Sequence, residues 1–183
     1  MIGLSSTWDN GTIYCSTITR RLLLNKYPSL EGFVIGLAIE AQHWIPLNPE
    51  RTKGVTIYMF EANHILGAVM ILFQGVMGNI LYTGDFRYTS LMLNNHILFP
   101  ENRRNKKLRQ IAIDIDHLII DNTFCDPIFK HPSKHEAVRM LIDIIESHKD
   151  HKVIIFLYKT GKEELLIELS KVFKTLVLLT FIP

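Results

Sequence analysis

The chain has 183 residues, 20 of them Lys or Arg and 18 Asp or Glu, for a formal net charge of +2 with histidines neutral. At 48% hydrophobic and 21% charged residues it carries enough apolar material for a core, which excludes a disordered, collagenous or mucin-like chain. No stretch approaches the roughly 18 consecutive apolar residues of a membrane-spanning helix, and the start lacks a basic segment followed by an apolar run. Two cysteines, Cys15 and Cys125, make no disulfide framework, so a reducing intracellular setting with no membrane partner is expected.

In chain order, TIYC at 12–15 reads as a short strand running into a helix that Ser16 caps, with Ile18, Leu22 and Leu23 on one side and an end between Asn25 and Pro28. FVIGLAI reads as a strand interrupted at Gly36, and NPERTKG as a turn. VTIYMFEA, AVMILFQ and NILYTG are β-branched or aromatic runs, and GVMG, Gly75 to Gly78, has the composition of a hairpin connection. IDHLIID at 115–121 has the apolar run of a buried strand.

Beyond Asp126 helix and strand alternate. Ser133 with Glu136 forms a capping box ahead of Val138, Leu141, Ile142 and Ile145 at helical spacing. KVIIFLY at 152–158 reads as a strand, and Thr160 with Glu163 repeats the cap before Leu165, Leu166, Leu169 and Val172. A last strand begins at Leu176, and since a parallel strand needs neighbours, the chain is expected to be cut short of them. The expected class is α/β, with residues 1–126 as one layered domain and 127–183 as the opening of a second α/β region.

Three residues stand at the exits of strand-like runs: His64 in EANHILGAV, Asp85 in YTGDFR and Asp121 before NTFCDP. Imidazole and carboxylate are suitable ligands for Zn²⁺ or Mn²⁺, and a carboxylate can bridge two ions. Taken alone, residues of these types at strand exits are more often ordinary turn and cap groups than ligands, and Gly84 before Asp85 permits close approach or a positive φ. Cys125 beside Asp126 has no base near it in sequence, and His43 and His117 read as packed histidines. In RRNKKLR, residues 103–109, Arg103, Arg104, Lys106, Lys107 and Arg109 make a solvated loop, a phosphate-backbone contact or a nuclear-targeting run. No Walker loop, Gly-x-Ser-x-Gly elbow or paired Cys-x-x-Cys is present in the sequence.

The segments GLSSTWDNGTIYCSTIT, EANHILGAVMILFQG, GNILYTGDFRYTSLM and LIIDNTFCDPIF, in this order, resemble the metallo-β-lactamase/β-CASP nucleases of DNA cross-link and end repair. The resemblance implies a partial metallo-β-lactamase αββα sandwich followed by the start of a β-CASP region. It makes His64 the ligand of the family's third motif, Asp85 the bridging acid of its fourth and Asp121 the acid of the first β-CASP motif. Tyr82, Thr83 and Arg87 would support the loop around Asp85.

The family's His-x-His-x-Asp-His motif is expected just ahead of Gly3, and Ile65 and Leu66 replace the Cys-Pro usual after the third-motif His. The implied activity is 5′-to-3′ exonuclease action on DNA with a 5′, typically phosphorylated, end, in cross-link repair and telomere end processing. Two divalent ions, Zn²⁺ foremost with Mn²⁺ or Mg²⁺ as substitutes, would serve as cofactors, with a nuclear location and repair or telomere proteins as partners. The alternative is a noncatalytic DNA- or protein-binding remnant of such a nuclease, and the 183 residues alone are expected to have negligible nuclease activity.

Overall fold

The computed structural model describes residues 4–95, 97–98, 113–157 and 161–176 and divides into two compact units, Met1–Asp121 and Asn122–Pro183. In the first unit, β1 (Ile13–Ser16) leads directly into α1 (Thr17–Lys26), where the Ser16 hydroxyl oxygen accepts the Thr19 N–H at 3.1 Å. Such a cap is worth about 1 kcal/mol. The chain leaves α1 through Tyr27 and the 3-10 turn Pro28–Leu30, then returns as β2 (Val34–Leu37), parallel to β1. Gly36 pairs with Cys15 inside this ladder, so it does not interrupt the strand. A Cβ there would stand 2.9 Å from Arg20 Cδ and 3.2 Å from Thr17 Cα, so the glycine lets α1 lie close on β2.

Among the described residues the second sheet has five strands in the order β3 (Gln42–Pro46), β4 (Gly54–Glu61), β5 (Val69–Gly75), β6 (Gly78–Tyr82) and β7 (His117–Ile119). The first four run antiparallel as a meander, with NPERTKG as the β3–β4 turn and Val76–Met77 as the loop of the β5–β6 hairpin. β7 pairs parallel to β6. Its start is clipped to β6 by the Asn79 N–H, which donates to Asp116 Oδ2 at 2.7 Å, and by Asn79 Nδ2, which donates to the Asp114 carbonyl at 2.8 Å.

Alternation along β4 and β5 supplies both faces of this sheet. Val55, Ile57, Met59, Val69, Ile71 and Phe73 pack on one side with Leu37 of β2 and Tyr14 of β1, while Phe60, Met70 and Leu72 pack on the other with Phe86, Met92 and Leu98. A third cluster, Leu23, Leu30 and Val34, joins α1 to the far face of the small sheet. The layers are therefore helix, two-stranded sheet and five-stranded sheet, an α/β arrangement. The outer face of the large sheet is covered, among the described residues, by the 3-10 turn Ser90–Asn94 and irregular backbone. Each fully buried side chain of the Leu72 or Phe60 kind contributes about 1.5–3 kcal/mol.

The second unit holds α2 (Lys134–Ser147) and α3 (Glu163–Phe173). The capping box at α2 is present in both directions: Ser133 Oγ accepts from Glu136 N, and Glu136 Oε2 accepts from Ser133 N at 2.7 Å. Val138, Leu141, Ile142 and Ile145 share the half-buried face of α2.

Several expectations are corrected. α1 buries Leu23, with Leu24 and Tyr27 half-buried, while Ile18 and Leu22 face solvent, because Leu23 and Tyr27 are one turn apart on the side that meets Leu30 and Val34. β3 carries no strand signal in the sequence, because its apolar content is only Trp44 and Ile45, and Trp44 is exposed. Among the described residues β7 is an exposed edge strand, and His117 lies exposed within it. Residues 152–157 form no strand, since no neighbouring strand pairs with them among the described residues. α3 starts at Glu163 after Lys162 with no side-chain cap, and Val172 is exposed. Thr160, the run 103–109 and residues 177–183 lie outside the described residues.

Candidate metal centre

The topology gathers three strand exits at one edge. β4 and β6 both run antiparallel to β5, and β7 runs parallel to β6, so β4, β6 and β7 end at the same side of the sheet. His64 follows β4, Asp85 follows β6 and Asp121 follows β7. His64 Nε2 lies 3.8 Å from Asp85 Oδ2, with the two side chains 43% and 80% exposed. That separation is too long for a hydrogen bond, and an exposed pair of this kind contributes at most about 1 kcal/mol. What holds the two side chains near one another is the backbone behind them.

The His64 loop is closed by the Ala62 N–H, which donates to the Ala68 carbonyl at 3.1 Å. It is joined to the Asp85 loop twice: Arg87 N–H donates to the Ala62 carbonyl at 2.9 Å, and Asn63 Nδ2 donates to the Arg87 carbonyl at 3.1 Å. Asn63 adopts φ +52, a conformation that asparagine tolerates better than most residues, and this turns the chain so that His64 faces the Asp85 loop. Gly84 adopts φ +54 while a Cβ there would have no neighbour nearer than 3.7 Å, so the glycine is required by backbone conformation and not by crowding.

Asp121 is half-buried, and its N–H donates to Thr83 Oγ1 at 3.0 Å, which ties it to the residue two places before Asp85. The structure thus brings His64 and Asp85 together directly and links Asp121 to the Asp85 loop through its backbone. Among the described residues no group of three or more His, Cys, Asp or Glu side chains is gathered to hold an ion. Arg103, Arg104, Lys106, Lys107 and Arg109 lie outside the described residues.

A tetrahedral zinc with ligand bonds of about 2.0–2.2 Å sets neighbouring donor atoms roughly 3.3–3.5 Å apart. A histidine nitrogen and a carboxylate oxygen 3.8 Å apart, open to solvent and backed by fixed loops, fit two adjacent positions of such a shell after a small closure. The remaining ligands are not among this pair. Cys15 and Cys125 are both free thiols, and burial pushes the Cys15 thiol up against the opposing pull of Arg20. Sequence reading missed Asn63, Thr19 and Gly67 as builders of this edge and saw Ser16 only as a helix cap. The glycine at 67, inside EANHILGAV, is the sequence signal that could have found this loop.

No family model matches the chain. The 5′ exonuclease Apollo of Danio rerio is 42% identical over 175 residues, which cover 96% of this chain and 29% of that protein. Apollo of Mus musculus is 37% identical over 179 residues, 98% of this chain and 31% of that protein. Protein artemis of Rattus norvegicus is 36% identical over 141 residues, 74% of this chain and 19% of that protein. The chain spans about a third of the length of the Apollo relatives it matches. With this similarity running through both units, the chain belongs to the β-CASP nuclease family that includes Apollo and Artemis.

Proposed function

We propose that this chain carries part of the metal centre of a divalent-metal-dependent DNA nuclease acting from 5′ ends, with His64, Asp85 and Asp121 as ligands. The single observation that carries the reading is the His64–Asp85 approach of 3.8 Å at an edge where Asp121 also emerges. Zn²⁺, or Mn²⁺ or Mg²⁺ in its place, would lower the pKa of a bound water and offset charge on the transferred phosphoryl group. The protein's own part is positional: His64 offers a neutral nitrogen lone pair, Asp85 and Asp121 offer anionic oxygens, and the loops keep them from diverging. Without a cation the two carboxylates repel a phosphate, so DNA binding at this edge depends on the metal.

The basic run Arg103, Arg104, Lys106, Lys107 and Arg109 is proposed to contact the phosphate backbone without reading base identity. The domain boundary is proposed after residue 126, with residues 1–126 as the metal-bearing part and 127–183 as the start of the β-CASP part. Cross-link repair and telomere end processing in the nucleus, with repair or telomere proteins as partners, are the proposed setting. No helix among the described residues is long and apolar enough to cross a membrane.

The second reading, a noncatalytic DNA- or protein-binding role, draws on the absence of a three-ligand group among the described residues. A chimera separates the two. In the Danio rerio Apollo the matching 175 residues are exchanged for those of this chain. The nuclease reading expects exonuclease activity on 5′-phosphorylated single-stranded DNA, lowered about 100-fold or more by Asp85→Ala. A folded chimera that binds DNA in a salt-sensitive, metal-independent way and cleaves none would overturn it in favour of the second reading.

A further inference from the structure

Two polar side chains are buried among the described residues, Ser16 at 2% exposure and Thr83 at 3%. Each hydroxyl is committed to a loop that carries a candidate ligand. Ser16 Oγ donates to the Gly67 carbonyl at 2.8 Å, and Thr19 Oγ1 donates to the same carbonyl at 2.9 Å, three residues beyond His64. One carbonyl oxygen with two lone pairs accepts both. The far end of the His64 loop is thereby fastened to the first turn of α1, while its near end is fastened to the Asp85 loop through Ala62, Asn63 and Arg87.

Thr83 does the corresponding work for the acids. Its N–H donates to the Ile119 carbonyl at 3.0 Å, its hydroxyl donates to the Gly84 carbonyl at 2.8 Å, and the hydroxyl oxygen accepts the Asp121 N–H at 3.0 Å. One oxygen therefore fixes the Gly84–Asp85 peptide plane and the amide of Asp121 together. For stability alone a buried apolar side chain of similar volume would serve as well, because a buried hydroxyl contributes only when its partners are satisfied and destabilises when they are not.

We infer that Ser16 and Thr83 are positioning residues of the candidate metal centre, Ser16 holding the His64 loop and Thr83 setting Asp85 relative to Asp121. The inference rests on the metal-binding reading above. Amide-resolved NMR of the 183-residue chain titrated with Mn²⁺ tests it, because paramagnetic broadening reports even weak occupancy. The wild-type chain is expected to show broadening at the His64, Asp85 and Asp121 amides together, abolished by Asp85→Ala.

Thr83→Val is expected to lower Mn²⁺ affinity about tenfold and to reduce broadening at Asp121 relative to Asp85, while Thr83→Ser retains both. Ser16→Ala is expected to reduce broadening at His64 and leave the Asp85-to-Asp121 ratio unchanged. Hydrogen exchange of the β4 and β5 amides controls for folding, and should Thr83→Val fail to fold, Ser16→Ala and Thr83→Ser still decide. Wild-type affinity and ratios in Ser16→Ala and Thr83→Val, or loss in Thr83→Ser as deep as in Thr83→Val, overturn the inference alone. Absence of broadening at all three loops in the wild-type chain overturns the metal reading and the inference with it.

Discussion

Gly67→Ala is the substitution on which the architecture of the candidate site is most exposed. Gly67 adopts φ +83, and a Cβ there would stand 2.8 Å from Thr19 Oγ1, 3.1 Å from Ile18 Cγ2 and 3.1 Å from Thr19 N. A left-handed conformation costs an L-residue about 1–2 kcal/mol. The Thr19 nitrogen is backbone and cannot swing aside, so either the loop or the first turn of α1 shifts and one of the two hydroxyl bonds to the Gly67 carbonyl is lost, about 1 kcal/mol more. The total of about 2–3 kcal/mol is on the order of a 30- to 150-fold change in the unfolding equilibrium.

Gly11→Ala isolates the first part, because Gly11 has φ +100 and nothing within 4 Å of an added Cβ. Urea unfolding followed by the fluorescence of Trp8 and Trp44, both in the first unit, reads the two variants side by side. Gly67→Ala is expected to be the less stable by about 1 kcal/mol or more. Equal midpoints for the two variants would refute the claim that α1 clamps the His64 loop.

Leu72→Ala, which empties a fully buried position in the core of the large sheet, is expected to cost about 2–5 kcal/mol, visible as a lowered urea midpoint. At neutral pH a thiol reagent is expected to modify exposed Cys125 well before Cys15, whose thiol is pushed up by burial; peptide mapping of the partly labelled chain checks the order. Glu136 is held below its ordinary 4.5 by hydrogen bonds from Ser133. A depressed carboxyl pKa means its capping contribution is complete above 4.5 and is lost as pH falls through the lowered value, so the first turn of α2 should lose amide protection on acidification while Glu136→Gln shows a weaker dependence. Amides of α2, none of whose residues is fully buried, should exchange faster than those of β4 and β5, and hydrogen-exchange mass spectrometry tests that ordering.

What was legible in the sequence was local. The β-branched and aromatic runs of β4, β5 and β6 announce themselves because each alternates between two apolar faces over short range, and the Ser16 and Ser133 caps because their chemistry closes within three residues. The failures were non-local. KVIIFLY has strand composition, but composition confers no ladder without a neighbour, and residues 152–157 have none among the described residues. β3 was missed for the opposite reason: its pairing with β4 along Gln42–Pro46 carries it despite a weak apolar pattern. β7 was expected to be buried from its apolar letters, yet an edge position leaves all three of its residues exposed.

The candidate site shows the same division on a smaller scale. That His64, Asp85 and Asp121 stand at strand exits could be read from the letters; that the three exits share an edge could not, because it depends on β7 running parallel to β6 across a long connection. Register then decides the chemistry. Tyr82 pairs with Ile119, which sets Thr83 and Gly84 beside Ile120 and Asp121 and lets the Asp121 N–H reach Thr83 Oγ1. A slip of one residue would turn every side chain of β7 to the opposite face and carry that amide out of reach. The clip that prevents the slip lies at the other end of the pair, where Asn79 engages Asp114 and Asp116. Two polar side chains outside the site, those of Asn79 and Asp116, thus set where its third acid emerges, and no periodicity in the sequence marks them as doing so.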